Sequence, residues 1–141
     1  MSRQYPDKPV VGVGVVVFRG SDVLLIRRGK PPHAGRWSLP GGGQELGEPV
    51  RDAALRELRE ETGVEAQITG IIDAVDSIQT DSAGKVKYHY TLVDFAAEWT
   101  RGEPRPGDDA MEAAWISPAR LPQLGLWEET LRVIQLARGL R

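Results

Sequence analysis

The apolar residues of this 141-residue chain first concentrate in two short runs near its N-terminus. Residues 10–19 and 23–28 are rich in Val, Ile and Leu, and the turn residues Gly20, Ser21 and Asp22 separate them. Apolar runs of this length between turn residues are typical of β-strands. The pattern therefore predicts a β-hairpin at the start of the fold.

A helical pattern follows a loop that is rich in glycine. Residues 50–62 place apolar side chains at steps of three and four, which predicts an amphipathic α-helix with one buried stripe. Pro49 suits the first turn of that helix, and Gly63 suits its end. Residues 41–49 contain four glycines and a proline, so we expect no regular element there.

The second half of the chain alternates between strands and polar connections. Residues 66–75 and 85–95 are rich in β-branched and aromatic side chains, which predicts two strands that pair antiparallel. Residues 100–109 have little to bury and are expected to form a mobile lip. A short strand at 113–116 and an amphipathic helix at 126–140 follow. This order predicts an α/β fold in which the two helices cover opposite faces of one sheet.

Charge and composition exclude several classes of function. The chain has 18 Lys and Arg against 20 Asp and Glu, a net charge of −2, so it lacks the basic excess of proteins that bind nucleic-acid phosphates. It has no Cys, which excludes disulfides, thiolate zinc sites and Cys nucleophiles. The apolar run at residues 10–18 is far shorter than the roughly 20 residues that span a bilayer. We expect one cytoplasmic domain over residues 1–141, with neither nucleic acid nor membrane as a partner.

Three glutamates crowd the end of the predicted helix. Glu57, Glu60 and Glu61 lie three, one and four positions apart, so their carboxylates are expected to project from one side, toward the surface. Like charges at i,i+4 destabilise a helix by about 0.2–0.5 kcal/mol, and the helix dipole disfavours carboxylates in the last turn by about 0.3–1 kcal/mol. A divalent cation such as Mg²⁺ reverses both effects. The alternative is a solvated face on which Arg56 pairs with Asp52 and Glu60.

The positions of these residues resemble the signature of the Nudix hydrolase family. That signature runs Gly, five residues, Glu, seven residues, Arg-Glu-aliphatic, one residue, Glu-Glu, one residue, Gly-aliphatic. Its fixed positions are filled here by Gly42, Glu48, Arg56, Glu57, Leu58, Glu60, Glu61, Gly63 and Val64. The resemblance implies an α/β/α sandwich with a mixed β-sheet between helices. It also implies a hydrolase of phosphoric anhydride bonds, which directs water at a nucleoside diphosphate linked to another moiety.

The resemblance further implies which residues hold the metal ion. The ligands that it indicates for Mg²⁺, or for Mn²⁺ in its place, are Glu48, Glu57, Glu60, Glu61 and the carbonyl of Gly41. Arg56 would brace the carboxylates. The cation would neutralise charge that develops on the phosphate oxygens while a carboxylate takes a proton from water.

The carboxylate that takes this proton stays open between several acids. The family places the role on a glutamate of the signature or on an acid in a later loop, and the candidates here are Glu60, Asp108, Asp109 and Glu112. Among the later acids we prefer Asp109 and Glu112, which lie just before Trp115. The alternative for both is a solvated loop and strand end.

The candidate substrate-binding residues are Arg27, Arg28, Trp37, Gly42 and Gly43. The two arginines end the second predicted strand, where they can meet phosphate or a terminal ribose, although surface solubility is the commoner role. The glycines let the backbone approach a bound group closely. Trp37 can stack on a base or sugar, as can the aromatic side chains of residues 88–90, whereas strand aromatics more often pack in a core. We expect Trp115 and Trp127 in the core.

The substrate is less sharply indicated than the reaction. Residues 87–95, the stretch 108–110 and the stretch 112–115 resemble the bacterial ADP-ribose pyrophosphatase branch of the family. An enzyme that removes modified nucleoside triphosphates, such as 8-oxo-dGTP, would carry the same signature because that signature grips diphosphate and metal. A non-catalytic module that senses a nucleotide sugar is a third alternative, but its usual mark is a broken signature. Family members are commonly homodimers, although no segment of this sequence marks an interface.

Overall fold

The structure is a computed structural model that describes residues 3–31, 33–107 and 109–141. Its elements in chain order are β1 (Val10–Arg19), β2 (Asp22–Arg28), β3 (Trp37–Ser38), β4 (Gly41–Gly43), α1 (Val50–Thr62), β5 (Glu65–Thr80), β6 (Val86–Arg101), β7 (Ala110–Ile116), a 3₁₀ helix (Pro118–Gln123) and α2 (Glu128–Gly139). Asp108, one of the candidate bases, lies outside the described residues.

The strands form one mixed sheet in the order β3-β2-β1-β6-β5. β1 runs parallel to β6, whereas β2, β4, β5 and β7 pair antiparallel with their neighbours. The first half of β1 is flanked by β4 on the side away from β6, and its second half is flanked on that side by β2. The predicted N-terminal hairpin and mixed sheet are confirmed. The split beside β1 leaves room for the glycines of β4 at the centre of the sheet.

The alternation of side chains in β1 divides the core into two layers. Val16 and Phe18 pack with Val133 and Ile134 of α2 on one face. Val13, Val15 and Val17 pack with Ala53, Ala54 and Leu58 of α1 on the other. Both sets are almost fully buried, because successive strand residues point to opposite faces and each face meets a helix. The predicted α/β/α sandwich is confirmed.

Helix α1 has the predicted bounds, and local sequence explains both ends. Pro49 caps the N-terminus in an extended conformation, one position before the helix rather than inside it. Gly63 caps the C-terminus at φ 74°, a left-handed conformation that favours glycine, and its N–H donates to the carbonyl of Arg59. This cap fixes the last turn, which carries two of the signature glutamates.

Some expectations about the loops are wrong. Gly41–Gly43 form a short strand although no regular element was expected, because the missing side chains let this backbone pair with β1: a Cβ on Gly41 would collide with the carbonyl of Val13. Residues 102–107 do form a loop, as expected, and the N–H groups of Arg105 and Gly107 donate to carbonyls at the end of α1 at 2.9 Å. Trp127 is 40% exposed rather than in the core.

Other element bounds differ in length. β5 and β6 have 16 residues each and extend well beyond the predicted strands. The 3₁₀ helix was not predicted, and Trp115 is only partly buried, with Arg19 over its ring. Among the described residues, the two α-helices have 13 and 12 residues, and neither has the length and apolar character needed to cross a bilayer.

Candidate active site

One cavity of about 630 Å³ joins the end of α1 to the sheet face that α2 covers. Its acidic end is lined by Glu57, Glu61 and Asp109 beside the glycines of β4. Its other end lies over β1 and β6, between Trp37 and Trp127. Sequence position separates these residues widely, and the fold brings them together because β4 and β6 both pair with β1.

Glu61 connects α1 to β4. The backbone N–H of Gly41 donates a 2.7 Å hydrogen bond to Oε1 of Glu61. The residue is only 5% exposed, which corrects the expectation of a surface-facing side chain. Burial raises the pKa of Glu61 to about 8, against the opposing effect of the Gly41 hydrogen bond. Glu57, one turn earlier, is half-buried, and burial raises its pKa as well.

Arg56 binds the remaining glutamates of the signature. Its Nε and Nη2 donate to Glu48 at 2.7 and 3.0 Å, and Nη1 donates to Glu57 at 2.9 Å and Glu60 at 3.1 Å. Nη2 also donates to the carbonyl of Gly43 at 3.0 Å. The planar guanidinium has five donors, so it can hold three carboxylates and a carbonyl at once. The hydrogen bonds from Arg56 lower the pKa of Glu48.

Gly42 lies directly against Glu57. A Cβ on Gly42 would collide with the carboxylate of Glu57. The missing side chain therefore leaves a recess in which the Glu57 carboxylate rests between β4 and Arg56. This contact explains in physical terms why the signature requires glycine at position 42, fifteen positions before Glu57.

The donor chemistry of this end of the cavity fits a divalent cation. Carboxylate and carbonyl oxygens are the ligands that Mg²⁺ prefers, and a bound cation would favour the ionised forms of Glu57 and Glu61, whose pKa values are raised by burial. As the side chains are placed, no three His, Cys, Asp or Glu residues among those described converge closely enough to hold a metal ion. Glu57 and Glu60 instead point their oxygens at Arg56.

The structure separates the two later acids. Asp109 lines the cavity and pairs with Lys30, whose Nζ lies 2.8 Å from Oδ1. Glu112 pairs with Arg27 at 3.2 Å across β2 and β7, and neither of these two residues lines the cavity. Arg28 does line it. Of the two neighbouring arginines, only Arg28 is therefore placed to meet a bound substrate.

The aromatic candidates are also divided. Trp37 and Tyr90 line the cavity. Tyr88 is buried, and its hydroxyl accepts a hydrogen bond from Gln4, so it packs as a structural residue. His89 is partly buried and does not line the cavity.

Sequence reasoning missed several cavity residues, among them three with ionisable side chains: Arg3, His33 and Asp94. Arg3 reaches Gly43 from the N-terminal segment, and His33 meets Gln79 at 2.6 Å across the cavity mouth. Asp94 is a buried acid in the middle of β6. Only Asp94 had a signal in the sequence, namely a charged residue inside the apolar run of residues 92–97.

Comparison with known proteins identifies the family. The NUDIX domain profile matches residues 8–137. The chain belongs to the Nudix family. The resemblance inferred from the signature is thereby confirmed, as is the hydrolase class: this Nudix protein acts on phosphoric anhydride bonds, and the family generally requires a divalent metal ion.

Three of its relatives carry more specific descriptions. An ADP-ribose pyrophosphatase of Methanocaldococcus jannaschii is 33% identical over 123 residues, which cover 87% of this chain and 70% of that protein. A putative 8-oxo-dGTP diphosphatase 2 of Mycobacterium tuberculosis is 38% identical over 114 residues, covering 79% and 75%. The NUDIX domain of Shewanella oneidensis NrtR, solved with ADP ribose, superposes with a TM-score of 0.78 at 25% identity, covering 95% of this chain and 89% of that one.

Proposed function

We propose that this Nudix hydrolase cleaves the diphosphate of ADP-ribose or of a related nucleotide sugar, with Mg²⁺ as the metal and Mn²⁺ as a substitute. The observation that carries the proposal is the continuous cavity from Glu57 and Glu61 to an aromatic-walled face of the sheet. A diphosphate at the acidic end leaves space for a nucleoside at the other. The relative from M. jannaschii and the ADP ribose complex of the NrtR domain support this substrate class.

The residues of this chain take the following roles in the proposal. The metal ligands are Glu48, Glu57, Glu60, Glu61 and the carbonyl of Gly41. When bound, the cation supplies positive charge to the phosphate oxygens and acidifies water. Arg56 orients the carboxylates around it. Asp109 is the favoured acceptor of the water proton because it lines the cavity, with Glu60 as the alternative within α1.

Substrate contacts come from both walls of the cavity. Arg28 neutralises a phosphate or meets the terminal ribose, and the backbone of Gly42 and Gly43 approaches the diphosphate. Trp37 stacks on a base or sugar ring. The proposal keeps the remaining sequence expectations: one domain over residues 1–141, a homodimer, a cytoplasmic location, and no nucleic-acid or membrane partner.

A second candidate function is the hydrolysis of 8-oxo-dGTP or another modified nucleoside triphosphate. The identity of 38% with the M. tuberculosis relative favours it. In both reactions the residues at the acidic end would bind a diphosphate and a metal ion, so these residues suit both substrates equally. A purely sensing role is disfavoured because every acid of the signature is present, with Glu61 held by the N–H of Gly41 and the other three held by Arg56.

One substrate panel tests the proposal. We expect Mg²⁺-dependent conversion of ADP-ribose to AMP and ribose 5-phosphate, resolved by chromatography, alongside assays of NADH, diadenosine polyphosphates and 8-oxo-dGTP. The control is the Glu61→Gln variant under the same conditions. Pyrophosphate release from 8-oxo-dGTP with no attack on ADP-ribose would select the second function. No turnover of any compound would overturn both.

A further inference from the structure

Asp94 is a buried acid at the nucleoside end of the cavity. It is 5% exposed and lies on the cavity side of β6, with Tyr90 and Leu92 of the same strand face. Gly14 lies opposite it on β1. A Cβ on Gly14 would collide with Oδ1 of Asp94, so the carboxylate lies over this glycine, and both residues line the cavity.

This carboxylate has no hydrogen-bond partner within the described part of the chain. Among the described residues, none donates a hydrogen bond to it and none forms an ion pair with it. Its cross-strand neighbour on β5 is another acid, Asp73, which pairs with Arg132 at 2.9 Å. Arg132 is further held by Glu129 at 2.5 Å. The nearest cation is therefore already shared between two other carboxylates.

An unpartnered buried carboxylate has an energetic cost that packing does not explain. Burial raises the pKa of Asp94 to about 6, with the charge of Asp73 adding to the effect and that of Arg132 opposing it. Near neutral pH the Asp94 carboxyl is still ionised in most copies of the protein, and an ionised carboxylate only accepts hydrogen bonds. A group that enters the cavity can complete this site by donating an N–H or O–H.

The position of Asp94 relative to β4 indicates which part of a nucleotide it meets. Gly14 pairs with Gly41 on one side and with Asp94 on the other. Since neighbouring strands lie about 4.8 Å apart, the backbone of Asp94 is roughly 10 Å from that of Gly41. A substrate held by its diphosphate at β4 therefore extends its nucleoside, rather than its phosphates, toward Asp94.

The walls around Asp94 favour the base over the sugar. Tyr90, Trp37 and Trp127 line the same end of the cavity with aromatic surface. Leu92 packs its side chain over Gly12, where a Cβ would lie 2.8 Å from Cδ2 of Leu92, and adds apolar surface to this end. Flat apolar walls suit the faces of a planar base, and an acceptor at the floor then meets its edge.

We propose that Asp94 is a specificity-determining residue whose carboxylate accepts a hydrogen bond from an N–H donor on the edge of the substrate base. The inference rests on the proposed function to the extent that the cavity must hold a nucleoside diphosphate derivative. The donor is the exocyclic amino group in an adenine substrate. In a guanine substrate, two adjacent N–H groups face a carboxylate with its two oxygens, which adds a second hydrogen bond.

Deletion of the base amino group tests the assignment. Steady-state kinetics compares ADP-ribose with its analogue that carries purine in place of adenine, using the full chain with Mg²⁺. We expect kcat/KM of the wild type to be about 10- to 100-fold higher for ADP-ribose than for the purine analogue, mainly because KM is lower. A difference of this size is typical of one hydrogen bond to a charged group. In Asp94→Leu, which removes the acceptor, the preference falls to near unity.

Asp76→Asn is the matched control, because it alters an exposed acid of the neighbouring strand β5 outside the cavity lining. We expect it to keep the wild-type preference. A wild type that treats both compounds alike overturns the inference even if Asp94→Leu does not fold. A loss that follows removal of the adenosine 2′-hydroxyl instead would place Asp94 on the sugar and also overturn it.

A wrong substrate assignment would give a different experimental result. If the wild type leaves ADP-ribose intact but hydrolyses 8-oxo-dGTP, the substrate proposal fails while the inference stands to be tested on the second compound. The comparison is then between 8-oxo-dGTP and its analogue without the 2-amino group. The expected preference and its loss in Asp94→Leu are unchanged.

Discussion

The 2.7 Å hydrogen bond from the N–H of Gly41 to Oε1 of Glu61 joins the central glycine strand to the last turn of α1. It makes a buried glutamate both a structural contact and a candidate metal ligand. Its other oxygen, Oε2, accepts no hydrogen bond from the described residues. The site is thus held in place by the fold, with part of its acceptor capacity left for a cation.

Glu61→Gln is expected to remove catalysis without unfolding the protein. The amide oxygen of Gln can still accept the Gly41 hydrogen bond, but Gln cannot ionise to supply the negative charge that Glu61 gives a bound cation. We expect hydrolysis to fall by more than about 100-fold, beyond the range typical for residues that only support metal ligands. Turnover assays with Mg²⁺ and circular dichroism melts check this pair of outcomes.

Metal-dependent stabilisation supplies the control for this variant. Saturating Mg²⁺ at about 100 times its Kd stabilises a protein that binds it only when folded by about 2.7 kcal/mol. The wild type should therefore melt at a higher temperature with Mg²⁺, and Glu61→Gln should not. Equal thermal shifts in both proteins would remove Glu61 from the metal site.

Gly42→Ala should disturb Glu57 more than it disturbs the fold. The added methyl group collides with the Glu57 carboxylate, which lies at the end of a flexible side chain and can move. We expect a modest fall in melting temperature but a loss of activity of about 100-fold, as misplaced catalytic groups produce. Gly70→Ala is the matched control, since a Cβ there meets nothing within 4 Å; it should behave like the wild type.

Arg56→Lys should weaken the site although the positive charge is kept. A lysine ammonium cannot reproduce the two hydrogen bonds to Glu48 together with those to Glu57 and Glu60. We expect a loss in kcat/KM of about 10- to 100-fold and a matching loss of Mg²⁺ affinity. Arg59→Lys, an exposed change on the same helix, provides the comparison. Full activity in Arg56→Lys would show that charge alone suffices.

The two later acids should differ in their effect on kcat. A general base contributes about 10²–10⁴-fold, so Asp109→Asn should slow the reaction by about 100-fold or more if Asp109 takes the proton. Its ion pair with Lys30 is exposed and contributes at most about 1 kcal/mol, so the melting temperature should barely change. Glu112→Gln, outside the cavity lining, should retain kcat. Normal kcat in Asp109→Asn would move the role to Glu60.

The sequence predicted those parts of the fold that depend on local pattern. The bounds of α1 follow from apolar periodicity and from the stop at Gly63, and the hairpin follows from two apolar runs around a turn. The lengths of β5 and β6 depend on cross-strand pairing, which extends them through polar residues. Such pairing is invisible to local composition.

The sequence predicted the site residues whose type and spacing match a known signature. It did not predict burial or neighbours that depend on the fold. The signature glutamates were found, but the burial of Glu61 arises from β4, which pairs with a strand nearly thirty positions away. Asp109 and Glu112 look equivalent in sequence, and only the register of β7 on β2 separates them. In the sequence Asp94 is only one acid in an apolar run, and the cavity that it lines forms only in the folded chain.

Asp94→Asn should raise stability in a pH-dependent way. The pKa of Asp94 is raised by burial to about 6 in the folded protein from its ordinary value of 3.8. The folded state therefore binds this proton more tightly than the unfolded state, and stability is lost as pH rises from about 4 to 6. Below about pH 3 the carboxyl is largely neutral in both states, so the variant should match the wild type. At pH 7–8 it should be more stable by up to about 3 kcal/mol. Urea unfolding at about pH 3 and at pH 7.5 measures this difference, and an equal effect of the variant at both values would show that the carboxylate is not buried as described.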